Sequence, residues 1–195
     1  MTDGNRTTDN SRRERRRLTH VSRSGRPRMV DVSDKPATAR RAVAEAFVEV
    51  EQETLTAIID GAVGKGDVLT VAEMAGVMGA KKTSELIPLC HPIALTDLVV
   101  EITPDRAASG LRVRATAATV APTGVEMEAL TAVSVAALTV YDMVKGVDRS
   151  ALIRDIRLLE KTGGKSGEWR RPQAESAAAT GKKPGKARSF RRRAG

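Results

Sequence analysis

Aromatic side chains are nearly absent: one Trp, one Tyr and two Phe make up 2% of the chain. A surface that reads nucleic acid by stacking bases on rings is hard to assemble from Trp169, Tyr141, Phe47 and Phe190 alone. Cysteine is almost missing as well. The single Cys90 excludes an internal disulfide and a Cys-rich zinc site, and points to a reducing compartment. No HxxxH, HExxH or CxxC spacing occurs, so no metal motif is legible. No apolar run attains the roughly 18 residues of a membrane span, and the charged N-terminus is not followed by a signal-like apolar segment. The expectation is a soluble, cytoplasmic chain with no membrane contact.

What is present is a 195-residue chain, about one domain's worth, whose 41% hydrophobic content must pack a core from Ala, Val, Leu and Ile. The net charge of +9 suggests a polyanion partner until its location is counted. Residues 1–28 carry +6, residues 170–195 carry +8, and residues 29–169 carry −5. The basicity therefore belongs to the ends. Residues 1–17 and 170–195 hold too little to bury, so both read as disordered tails around one domain at 18–169. Arg12 to Arg17 and Arg191 to Arg193 leave open a non-specific nucleic-acid contact, against solvated tails as the plainer alternative.

Within the domain, TARRAVAEAFVEV also fits an Ala-rich helix, but its alternation favours a strand over 41–50, then a helix over 51–60 closing at Gly61. Asp67 is placed to cap a helix through about Met78, and Lys81 to Leu86 reads as a short helix ended by Pro88. LTDLVVEIT and LRVRATAATV read as an antiparallel hairpin around the turn PDRAASG. Residues 126–145 lack Gly and Pro and are apolar over much of the helical circumference, predicting a helix buried against a sheet or a second subunit. Residues 153–160 supply another strand, followed by a mobile Gly-rich loop, TGGKSG. The sum is an α+β two-layer sandwich, helices on one face of a mainly antiparallel sheet.

Several residues resist a packing explanation. IPLCHPI holds Cys90 and His91 between prolines, which fixes an imidazole suited to acid/base or phosphate contact, with a structural histidine as the alternative. Cys90 reads first as a small packed hydrophobe. Glu126 and Glu128 open the long helix; at i and i+2 they do not share a face, so one can enter a site while the other caps or binds. Asp142 and Lys145 do share a face in the last turn, an arrangement suited to proton transfer combined with anion binding, with an ordinary ion pair as the alternative. Lys65, Arg40, Arg41, Lys81, Lys82, Lys161 and Lys165 are further candidates, the lysines lying in Gly-containing loops able to converge on a polyphosphate. GGKSG alone lacks the full P-loop spacing.

LTHV, MVDVSDK, AFVEV, IIDG, GKGDV, IPLCHPI, TGVEMEALTAVSVAALTVYDMVK and LLEKTGGKSG together run from about Leu18 to Glu168. In these motifs the chain resembles the molybdenum-cofactor biosynthesis accessory protein C family, the cyclic pyranopterin monophosphate synthases. The resemblance implies a ferredoxin-like fold and a lyase of molybdenum-cofactor biosynthesis. That enzyme acts after a radical S-adenosylmethionine GTP cyclase, rearranging a cyclised dihydroguanosine triphosphate into cyclic pyranopterin monophosphate and releasing diphosphate. It also implies a homohexamer, a trimer of dimers with shared sites. Residue by residue it places catalysis on Asp142 and Lys145, and substrate contacts on Arg40, Lys65, Cys90, His91, Glu126, Met127, Glu128, Lys161 and Lys165. No tightly bound cofactor is expected, and Mg2+ arriving with a phosphorylated substrate would need only one or two carboxylates such as Asp142 or Glu128.

Overall fold

The computed structural model describes residues 25–172. His20, the LTHV motif and the two Arg clusters lie outside the described residues. Five strands form one sheet in the order β2-β3-β1-β4-β5. They are β1 Thr38–Glu49, β2 Leu95–Asp105, β3 Gly110–Ala121, β4 Leu152–Thr162 and β5 Trp169–Arg170, with every pairing antiparallel. Between them run α1 Gln52–Ile59, α2 Val68–Lys81, α3 Thr83–Leu86 and α4 Glu126–Val144. The first four strands follow the ferredoxin-like βαββαβ pattern. β5 is an addition that the sequence pattern does not announce, and its pairing with Glu160 and Lys161 continues across residue 169.

Local chemistry sets the boundaries. Asp67 caps α2, its Oδ1 accepting from the Leu69 and Thr70 amides at 3.0 and 3.1 Å. The β2–β3 hairpin is longer than expected because Pro104 sits in an edge strand, where its missing donor is tolerated. Only residues 106–109 remain as turn. Ala42, Ala44, Ala46 and Val48 of β1 face the helices and join the core with Leu111, Val113, Ala115 and Ala117 of β3.

The apolar circumference of α4 is met within one chain. Its buried Ala129, Ala132, Val133, Ala136, Ala137 and Val140 are covered by β1, β3, β4 and by α2. Gly76 and Gly79 allow that approach, since a Cβ on Gly79 would sit 2.7 Å from Val135 Cγ2. α4 alone among the described residues has the length and apolarity of a membrane span, yet more than half of it is buried in this packing. Leu138 on α4 and Val71, Met74 and Met78 on α2 stay exposed.

On the opposite sheet face, Phe47 lies between the Arg112 and Arg154 guanidiniums, 5.7 and 4.4 Å from its centroid. Residues 154 and 157 would point oppositely in a regular strand. An irregularity around Asp155, whose φ is 57°, puts both beside β1, where Arg157 pairs with Glu45 and Arg154 with Glu49.

Behind α4, Asp148 is 2% exposed and accepts from the Glu51 amide at 2.8 Å, the Ser150 amide at 2.9 Å and the Ser150 hydroxyl at 2.7 Å. Burial pushes its carboxyl up, but these hydrogen bonds outweigh burial and leave it below the ordinary carboxylate range. A depressed folded-state pKa contributes stability that is complete above the unfolded-state value near 4 and is lost as pH falls through the folded value. Asp148→Ala is therefore expected to cost about 1–3 kcal/mol at neutral pH. Urea midpoints followed down from pH 6 should fall more steeply for the wild type than for the variant; parallel curves would refute this account.

Candidate functional site

The long helix separates the sequence-singled residues into two groups. Asp142 lies sixteen positions beyond Glu126, which at 1.5 Å per residue is roughly 24 Å along α4.

At the C-terminal end, Asp142 lies between two ammonium groups. Lys145 Nζ is 2.6 Å from its Oδ1, and Lys65 Nζ is 3.1 Å from its Oδ2 and also donates to the Asp142 carbonyl. The i,i+3 spacing brings Lys145 there, while the GKGD turn before α2 delivers Lys65. Hydrogen bonds from Lys145 and then Lys65 hold the Asp142 carboxyl below its ordinary range, and Asp142 in turn raises Lys145. All three side chains are about half exposed, so they are available to a ligand or a second chain.

At the N-terminal end two cavities meet. One, of about 400 Å³, is lined by Val30, Val32, Leu89, Cys90, His91, Met127 and Glu128. The other, of about 810 Å³, is lined by Thr38, Arg40, Lys161, Gly164, Lys165 and Ser166. Lys35, Thr123, Gly124 and Glu126 line both.

The first cavity holds a buried acid. Glu128 is 4% exposed and its Oε2 has no hydrogen-bond partner among the described residues. Burial, with a further contribution from Glu126, raises its pKa, because an unpaired charge there has lost its water. A ligand edge presenting N–H donors would satisfy that oxygen. The Cys90 thiol is raised by burial and then by Glu128, which keeps it protonated and accords with a packing role. His91 Nε2 lies 2.8 Å from the Val30 carbonyl. A carbonyl only accepts, so Nε2 is the donor in this contact, which fixes the orientation of the ring.

The second cavity is a cation cradle. Arg40 Nε and Nη2 donate to the Ala121 and Pro122 carbonyls at 2.9 and 3.1 Å, tying β1 to the turn that opens α4. Lys161 bonds Ser166 Oγ at 2.7 Å and pairs with Glu126 at 3.4 Å. Glu126 thus binds a lysine, Glu128 is buried, and neither caps α4. Lys165 makes no ion pair among the described residues.

The Gly-rich turn is folded tightly onto β1. Gly163 has φ +90°, and a Cβ there would lie 2.1 Å from the Ala39 carbonyl oxygen. Gly163→Ala is expected to push the β4–β5 turn outward and to lower kcat/KM at least about tenfold, chiefly through KM. Steady-state kinetics that leave KM unchanged would show the close approach to be dispensable.

Three candidates fall elsewhere. Arg41 pairs with Glu160, and Lys81 and Lys82 line neither cavity. Sequence reasoning in turn passed over Lys35, Thr38 and Ser166 as individual residues; Lys35 stands in the quoted MVDVSDK run, which was the available signal. Among the described residues no group of three His, Cys, Asp or Glu is placed to hold a metal ion.

Comparison with known proteins gives a consistent result. The MoaC family model matches residues 29–164. A protein of Chloroflexus aurantiacus is 56% identical over 156 residues, 80% of this chain and 96% of its own length. Proteins of Brucella ovis and Brucella melitensis biotype 2 are 56% identical over 153 residues, 78% of this chain and 93% of theirs. All three relatives carry the name cyclic pyranopterin monophosphate synthase.

Proposed function

The chain belongs to the MoaC family, and from that premise we propose a division of labour among its residues. The reaction converts a cyclised dihydroguanosine triphosphate into cyclic pyranopterin monophosphate with release of diphosphate, an early step of molybdenum-cofactor biosynthesis. It opens a five-membered ring, builds a pyrazine ring and closes a cyclic phosphate, so it demands proton transfers at the ring and cation contacts along the phosphates.

The observation that carries the assignment is the pair of joined cavities with opposite chemistry. Arg40, Lys161 and Lys165 make one a place for phosphate oxygens. Glu128, with Cys90, His91 and Met127, makes the other a place for a ring edge rich in N–H donors. His91 Nδ1, where the imidazole is neutral, accepts a hydrogen bond or a proton from the ring side.

Asp142 and Lys145 are the acid/base pair, and Lys65 holds Asp142 between two cations. A proton donor acts within about 3 Å of the atom it serves, whereas these groups stand roughly 24 Å of helix from Glu126. One substrate touched by both groups takes them from two copies of the chain. This supports sites shared between subunits; the homohexamer built as a trimer of dimers is what the family resemblance implies. Mg2+ enters as a companion of the triphosphate; Glu126 supplies one carboxylate beside the cradle, which suits an ion that keeps water and substrate oxygens. The enzyme works in the cytoplasm after a radical S-adenosylmethionine GTP cyclase.

The direct test is incubation with the cyclised GTP intermediate and mass detection of product. Formation of the pyranopterin monophosphate with one diphosphate per turnover is expected; absence of both would overturn the assignment.

A further inference from the structure

Four residues belong to both cavities, and only one of them is a cation: Lys35. Of the other cations in the cradle, Lys161 is engaged by Glu126 and Ser166, Arg40 by the Ala121 and Pro122 carbonyls, and Lys165, which does not line the ring cavity, has no ion pair among the described residues. Lys35 has no ion pair among the described residues. Its backbone is fixed, since its amide donates to the Val32 carbonyl at 3.0 Å and Pro36 follows. An unneutralised ammonium thus stands where the ring cavity opens into the phosphate cavity.

The reaction distinguishes the phosphates in a way that matches this position. A sugar hydroxyl oxygen bonds to the α-phosphorus, the bond from that phosphorus to the oxygen bridging the β-phosphorus breaks, and diphosphate leaves with the bonding electrons. The hydroxyl proton departs with the diphosphate, whose freed oxygen is the new base. The α-phosphate stays attached to the ring system and becomes the cyclic phosphate, while the β- and γ-phosphates go. With the ring edge in the Glu128 cavity, the phosphate linked to it would fall at the seam beside Lys35, and the two that leave would fall among Lys161 and Lys165.

We propose that Lys35 is the binding residue for the phosphate retained in the product, and that Lys161 and Lys165 hold the diphosphate that leaves. This rests on the reaction assigned above and adds to it a division between two sets of lysines. Lys35 then anchors substrate and product alike, while the loop lysines stabilise charge only on the leaving group.

The test compares Lys35→Met, Lys35→Arg and Lys165→Met as full chains, with cyclic pyranopterin monophosphate and inorganic diphosphate as separate probes in calorimetry. Lys35→Met is expected to weaken product binding about tenfold or more and to leave diphosphate binding within about twofold. Lys165→Met is expected to do the reverse, and Lys35→Arg to retain most product affinity because the charge remains. Lys35 is exposed, so its variants should keep the wild-type melting temperature. Unchanged product affinity in Lys35→Met, or equal losses for both probes, would overturn the proposal. A wild-type protein that forms no pyranopterin product overturns the reaction assignment itself, and this proposal with it.

Discussion

Lys145→Ala is expected to lower kcat by about 10²- to 10⁴-fold, the range for loss of a general acid or base, while substrate affinity changes far less. The cavities with Arg40, Lys161, Lys165, His91 and Glu128 lie at the other end of α4 and are untouched by the change. Lys145→Arg should rescue little, because guanidinium holds its proton too tightly to exchange it near neutral pH. Asp142→Asn keeps the size and loses the proton acceptor, and should depress kcat more than it weakens binding. Asp142 also raises Lys145, so in Asp142→Asn the lysine should titrate at lower pH and the alkaline limb of residual activity should move down with it. Calorimetry of substrate binding beside pH–rate profiles separates these effects. Retention of more than about a tenth of wild-type kcat in Lys145→Ala would demote Lys145 to an interface or phosphate-binding residue.

Two inactive variants mixed in one assembly should recover activity that neither has alone. Lys145→Ala removes a group from the C-terminal end of α4, and Lys161→Met removes one from the cradle at the other end. If each site takes one end from each of two subunits, random pairing makes half the dimers mixed. In a mixed dimer one site carries both lesions and the other carries neither, so about a quarter of wild-type activity returns. Co-expression with two affinity tags, followed by kinetics on the doubly tagged fraction, provides the measurement. Recovery no greater than the mean of the two parents would mean that each subunit builds its site alone.

Much of the site was legible because its motifs are local. Asp142 and Lys145 three apart on a helix must share a face, and their 2.6 Å contact follows from helical geometry. Pro88 and Pro92 around Cys90 and His91 likewise announce a constrained segment. Lys35 was not singled out, because nothing in MVDVSDK tells which of its residues reaches a seam between two cavities that distant stretches of the chain bring together. β5 was equally silent: a two-residue strand has no periodicity, and pairing with Glu160 and Lys161 alone defines it.

The sequence by itself determined the elements other than β5, and their order, since alternation, helix caps and turn residues act through neighbours a few positions apart. It also determined the family and the reaction, carried in motifs that stay recognisable without coordinates. Only the tertiary structure decided that α2 covers the apolar flank of α4, through the missing side chains of Gly76 and Gly79. Only the tertiary structure, again, joined Lys65 to Asp142 and left Lys35 at the seam. The physical reason is range: hydrogen-bonding patterns are settled within a turn or a strand pair, whereas a site is settled by which distant surfaces exclude water together.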